Sequence, residues 1–381
     1  ATYGVSIAFN DISNVHIINS QFLMNNGFRY GGGLRCKICK SVHIHNSKFI
    51  DNHGTSKDPL IPDDDNVLGG AIFCQTGKKL NITTTHFENN AIVGRGGAVY
   101  CDKLSIVKFS QLIFIKNKAN NGGSIYIISL TNYASILQIQ VLGSYASFIG
   151  GGLRCYKCKE LRIKYSKFIQ DTSYERGGGL YVYDINILQI IDCNFMHNQV
   201  SSTGGAVYIL NAYEVIVLRT IFKRNSFKPD EALFGGAMYC KKFFRLKFMA
   251  VNFVENSAVV DGGATYLYDG FSVTIRNCSF KFNTGENGGG LYIESVAYVT
   301  MATTHLIMNN ASGDGGGIHV LELDFQIIIT HSVFMHNYAS KFGGGTSAQS
   351  SAGIKTSFLH FFGNQADIDG CAIYSYQVQN I

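Results

Sequence analysis

An all-β fold of stacked coils is predicted by three regularities of the 381-residue sequence. Glycine pairs recur at a near-fixed period, a Phe-x-x-Asn signature stands at a set distance from each pair, and apolar residues alternate between the two. The pairs begin at Gly31, Gly69, Gly96, Gly122, Gly150, Gly177, Gly204, Gly235, Gly262, Gly288, Gly315 and Gly343, with Gly4 before them and Gly370 after. Most steps are 26 to 28 residues; two are longer, 38 from Gly31 to Gly69 and 31 from Gly204 to Gly235. Repeats of this size stack because one unit cannot bury its apolar face alone.

The first strand of each unit follows the glycines. Its alternate positions are aliphatic or Cys, as in Ile72 and Cys74, Val207 and Ile209, or Leu291 and Ile293, and these should point inward. The residue between them is often tyrosine: Tyr100, Tyr126, Tyr181, Tyr208, Tyr239, Tyr266 and Tyr292. Because successive strand side chains alternate faces, this column is expected to point outward, its tyrosines packing against their cross-strand neighbours; if the rod assembles laterally, the same face is the expected contact surface.

A second strand carries pairs such as Val15 and Ile17, Val42 and Ile44, or Val273 and Ile275. The third holds a small residue and then the phenylalanine of Phe22, Phe49, Phe87 and their successors. Inward parity slips between the second and third strands, which marks a corner. Three residues beyond the phenylalanine stand Asn25, Asn52, Asn90 and further asparagines, with Ser144 and Asp171 as exceptions. A side-chain amide both donates and accepts, so stacked asparagines can bond turn to turn. Glycine at the next corner supplies positive φ.

Three short strands and about 27 residues per turn describe a right-handed parallel β-helix. With turns roughly 4.8 Å apart, some thirteen of them stack over roughly 60 Å. The expected organisation is one continuous solenoid over 1–381, with corner insertions at 54–68 and 227–233. Two of only three prolines, Pro59 and Pro62, fall in the first insertion, where no strand ladder needs their N–H.

A formal charge of +6 is mild and thinly spread, short of the dense basic stripe that a nucleic-acid groove requires. No run of about eighteen apolar residues suggests a transmembrane helix. Among the ten cysteines, Cys36, Cys74 and Cys101 share one inward column in consecutive turns, where one bridge is plausible. Cys36/Cys39 and Cys155/Cys158 form C-x-x-C pairs, expected to close as local corner disulfides in an oxidising compartment. A shared zinc site is excluded by their separation of four turns. Sequons at Asn81, Asn277 and Asn310 map to outward or corner positions and fit an extracellular glycoprotein.

Gly69-Gly70-Ala71-Ile72 followed by Phe87-Glu88-Asn89-Asn90 resembles the repeats of the chlamydial polymorphic outer-membrane proteins. The resemblance runs through essentially the whole chain and implies an extracellular adhesive or surface-building role. The expected function is a structural or adhesive rod at the cell surface or outside the cell. Its partners would be other copies, end to end through Gly4–Phe9 and Ala372–Tyr376 or side by side, and glycans as a monomeric adhesin's ligand. A polysaccharide lyase or hydrolase is the enzymatic alternative; it would draw on Asp63, Asp64 and Asp65 as weak calcium ligands. No catalytic constellation is evident beside them, so neither a reaction nor a cofactor is expected.

Overall fold

The computed structural model describes residues 6–28, 30–55, 67–227, 234–351 and 353–378. Among them every regular element is a strand, paired in parallel with its counterpart one repeat away. The chain is a right-handed parallel β-solenoid of about 13 turns of about 27 residues. It divides into two compact units, Ala1–Asn186 and Ile187–Ile381, built on the same plan.

One turn of the first unit shows why these residues coil. Gly96 and Gly97 make a corner that no other residue could occupy. A Cβ on Gly96, at φ 72°, would lie 2.5 Å from the Val99 carbonyl oxygen, and one on Gly97 would lie 2.1 Å from the Gly123 carbonyl of the next turn. The strand Val99–Ser110 follows, bent at Lys103 by a left-handed φ of 53°. The expected first and second strands are therefore one bent twelve-residue strand here. Gln111 (φ 56°) makes the next corner, where the parity slip was expected.

Strand Ile113–Ile115 then carries Phe114, Lys116 (φ 50°) turns the chain again, and Lys118–Asn121 forms a short further strand. Left-handed residues at such corners are costly in isolation. Here the N–H groups of Gln111 and Lys116 donate to Leu137 and Leu142 of the next turn at 3.0 and 2.9 Å, so the stack holds the bend.

Register is kept by the phenylalanines. In the first unit Phe22, Phe49, Phe87 and Phe114 stand opposite one another, their rings stacked with centroids 4.5, 5.2 and 4.8 Å apart. Phe49 and Phe87 remain in register although the step between them is 38 residues. The surplus is thus accommodated outside the ladder, after Asn52; most of it, 56–66, lies beyond the described residues. In the second unit Phe222, Phe253 and Phe280 repeat the arrangement at 4.9 and 4.8 Å. Each fully buried phenylalanine contributes roughly 1.5–3 kcal/mol over an exposed one.

The asparagines form the second ladder. Asn256 shows its full capacity in use: Oδ1 accepts from the Asn225 backbone N–H and from Asn225 Nδ2, both at 3.0 Å. Its own Nδ2 donates to the Phe222 carbonyl at 3.0 Å and to Asn283 Oδ1 at 3.1 Å. The chain of amides runs through Asn25, Asn52, Asn90 and Asn117 in the first unit. In the second it runs from Asn198 to Asn364.

At Ser144 and Asp171 the bonding changes. Asn117 Nδ2 donates to Ser124 Oγ at 3.2 Å, Ser124 and Ser144 hydroxyls pair at 2.7 Å, and Ser144 N–H donates to Asp171 Oδ1 at 2.8 Å. Asp171 is wholly buried, and burial pushes its carboxyl well above the usual range.

Candidate binding surface

The tyrosine column packs against its cross-strand neighbours, as expected, and is closed as a surface for lateral contact. Tyr100, Tyr126, Tyr181, Tyr208, Tyr239, Tyr266 and Tyr292 are all 9% exposed or less. They do point away from the interior of the coil. Their ring faces, however, cover one another: in the second unit Tyr208, Tyr239, Tyr266, Tyr292 and His319 stack at 4.8–5.2 Å. Residues that precede glycine pairs seal part of the flank. Phe234 meets Tyr266 edge-on at 5.0 Å in the second unit. In the first, Leu68 packs with Phe73, Tyr100 and Tyr126, and Arg95 lies over Tyr126, as does Arg154 from the column's own place in the next turn. Tyr266 donates its hydroxyl to Glu294. This column is a second, external core.

The open aromatic surface lies five or six residues further along, in five turns of the second unit. Tyr213, Phe244, Phe271, Tyr298 and Phe325 form an exposed ladder across five consecutive turns. Four of them are large exposures: Tyr213 55%, Phe271 45%, Tyr298 37% and Phe325 53%. Tyr213–Phe244, Phe244–Phe271 and Tyr298–Phe325 stack at 5.0, 4.8 and 4.7 Å, while Phe271 and Tyr298 meet edge to face at 5.5 Å. The offset from the tyrosine column is a signal in the sequence, which columns tied to the glycines alone pass over.

Charge is unequal along this ladder. Exposed Lys242 and Arg245 flank Phe244, with the Arg245 guanidinium 5.3 Å from that ring, and exposed Glu322 and Asp324 flank Phe325. Glu214 beside Tyr213 is held by Lys247 at 2.8 Å.

The cysteine expectations divide. Cys155 and Cys158 form a disulfide, with Cα atoms 6.4 Å apart. Cys36 and Cys39, in the near-duplicate segment, are free, and Cys39 Sγ is turned towards the carbonyls of Phe9 and Lys37. The expected bridge among Cys36, Cys74 and Cys101 is absent too. In-register parallel neighbours carry parallel Cα–Cβ bonds, so their Cβ atoms stay near the strand spacing of about 4.8 Å, outside disulfide reach. Burial raises the thiols of Cys36 and Cys74.

Of the sequons, Asn277 and Asn310 are exposed. Asn81 is half-buried, its Nδ2 3.5 Å from His43 Nδ1. The calcium candidates Asp63, Asp64 and Asp65 lie outside the described residues. Among the described residues no three His, Cys, Asp or Glu side chains converge as a metal site, and no helix is long and apolar enough to cross a membrane.

Comparison with known proteins agrees with the coil. The probable outer membrane protein PmpG of Chlamydia muridarum (strain MoPn / Nigg) is 34% identical over 76 residues, 18% of this chain. The match spans only 8% of that relative's length. No solved structure matches. Residues 138–334 match the family described as the right handed beta helix region. That is more than half of the sequence, and with the stacked Phe and Asn ladders it shows that the chain belongs to the right-handed β-helix family.

Proposed function

We propose that the chain is a non-enzymatic structural or adhesive β-helix displayed at a cell surface. The observation that carries this reading is the exposed aromatic ladder from Tyr213 to Phe325, a contact face held on an internally bonded support. The perturbed ionisable groups fit a scaffold: Asp171, His319 and Tyr266 all lie within turn-to-turn columns. The chlamydial relative, named as a probable outer membrane protein, supports the location. Exposed Asn277 and Asn310 support an extracellular glycoprotein.

Protease treatment of intact source cells tests the location. Display at the surface requires cleavage without permeabilisation; protection until the cells are opened would refute it. End-to-end stacking of coils from separate copies is the filament form of the same proposal. Negative-stain electron microscopy of native material distinguishes fibres, as expected for the filament, from isolated particles, which would exclude it.

A further inference from the structure

We infer that the exposed aromatic ladder of the second unit is a self-association face, on which a second copy of this chain docks antiparallel about a two-fold axis between the Phe271 and Tyr298 turns. Three features of the ladder, none of which depends on where the protein resides, favour this docking.

The first is the apolar area. At roughly 200 Å² per aromatic side chain, Phe271, Tyr298 and Phe325 leave roughly 270 Å² of apolar surface within the paired turns, and Tyr213 adds roughly 110 Å² beside them; apolar patches of this order are often functional. The paired turns thus supply about a third of the roughly 800 Å² per partner in a standard interface. The charged flanks would supply the remainder.

The second is the way the rings are presented. Stacked neighbours already occupy most ring faces, at 4.7–5.0 Å and interplanar angles of 4–13°. A sugar would need those faces. What remains open is ring edges, in two stacked sets that meet edge to face between Phe271 and Tyr298. A second copy of this chain, turned about that break, presents the same edges to them.

The third is charge, and it selects the orientation. Lys242 and Arg245 stand in the second turn of the ladder and Glu322 and Asp324 in the fifth, with exposed Asp269 between them. The two-fold sets Phe244 against Phe325 of the second copy and Phe271 against Tyr298. It thereby brings each cationic pair to an acidic pair, twice over. A parallel arrangement would oppose like charges. Isologous two-fold contacts of this kind are the commonest in soluble homo-oligomers.

Sedimentation velocity on the whole 381-residue chain tests this. A concentration-dependent dimer is expected, weakened at least about tenfold by Phe271→Ser with Phe325→Ser, since central aromatics carry most binding energy. Lys242→Glu with Arg245→Glu should weaken it about as much, as should Glu322→Lys with Asp324→Lys. Mixing these two charge variants should restore a dimer, because every flank then faces its opposite. Circular dichroism melts matching wild type confirm that each variant is folded. A monomer up to about 100 μM, about −5.5 kcal/mol as a dissociation constant, would overturn the inference. So would association indifferent to the ladder, or charge variants that mixing fails to rescue.

Discussion

Replacing Asp171 by asparagine should stabilise the protein at neutral pH, although the residue is wholly buried and most core substitutions destabilise. Elsewhere in the ladder a buried amide accepts through Oδ1 and donates through Nδ2 to the carbonyl of the preceding turn's Phe position. At 171 that position is held by Val141, which lies opposite Phe168. An ionised carboxylate can accept from Ser144 N–H, as it does at 2.8 Å, but it has no proton to donate towards that carbonyl. Burial therefore raises the carboxyl pKa, opposed only by the bonds from Ser144.

The sign follows from linkage. A native pKa above the unfolded value means the folded state holds a proton that the unfolded chain releases, so stability is greatest below the unfolded pKa of about 3.9 and falls as pH rises above it. Keeping such a carboxyl protonated at pH 7 costs about 4 kcal/mol, which is the ceiling on the gain. Asparagine should recover about 1–3 kcal/mol of it, the range for satisfying a buried polar group. The assay is thermal unfolding of wild type and Asp171→Asn at pH 7.5 and at pH 4, compared at the same pH so that other titrations cancel. The variant should melt about 1–4 °C higher at pH 7.5, at roughly 1 °C per kcal/mol for a chain of this length, and the gap should narrow at pH 4. A variant no more stable at pH 7.5, or a gap that widens on acidification, would refute the reasoning.

Asn256→Ala removes four hydrogen bonds at a fully buried site and should cost about 3–5 kcal/mol, read as faster amide exchange at Asn225 and a lower melting temperature. His319, 4% exposed, has its pKa lowered to about 4 by burial. Its contribution is complete above about pH 6.5 and declines towards pH 4 by as much as about 3 kcal/mol, so His319→Tyr, which restores the column's usual residue, should melt with less dependence on acid. Alkylation after unfolding without reductant should label Cys36 and Cys39 but spare Cys155 and Cys158; protection of Cys36 and Cys39 would reverse that assignment. If the chain is glycosylated, an endoglycosidase mobility shift should be lost stepwise with Asn277→Gln and Asn310→Gln, both sites being exposed.

The ladders were legible because each depends on one residue repeated at one place in every turn. Phe49 and Phe87 could be paired across a 38-residue step by the signature alone. Parity also assigned the tyrosines correctly to the outer face. What parity cannot tell is whether that face is covered. The cover comes from residues as unlike as Leu68, Arg95 and Phe234, whose shared place before the glycines carries no shared chemistry to notice. Cys36/Cys39 and Cys155/Cys158 show a related limit: the same spacing closes in one segment and stays open in the other, where Cys39 Sγ faces carbonyls.

Regularity and exposure therefore point to different uses in this fold. A residue type conserved in nearly every turn of one coil is needed by the coil, because each copy completes its neighbour, as Tyr239 does for Tyr208 and Tyr266. A residue type that recurs in only some turns is not needed for stacking. The aromatic ladder from Tyr213 to Phe325 is of that second sort: the equivalent places in the first unit hold polar residues such as Asn132 and Lys159, and those turns coil equally well. Its cost is an exposed apolar stripe, which promotes unwanted association unless a partner covers it. Folding does not account for such a stripe, and contact with another molecule does.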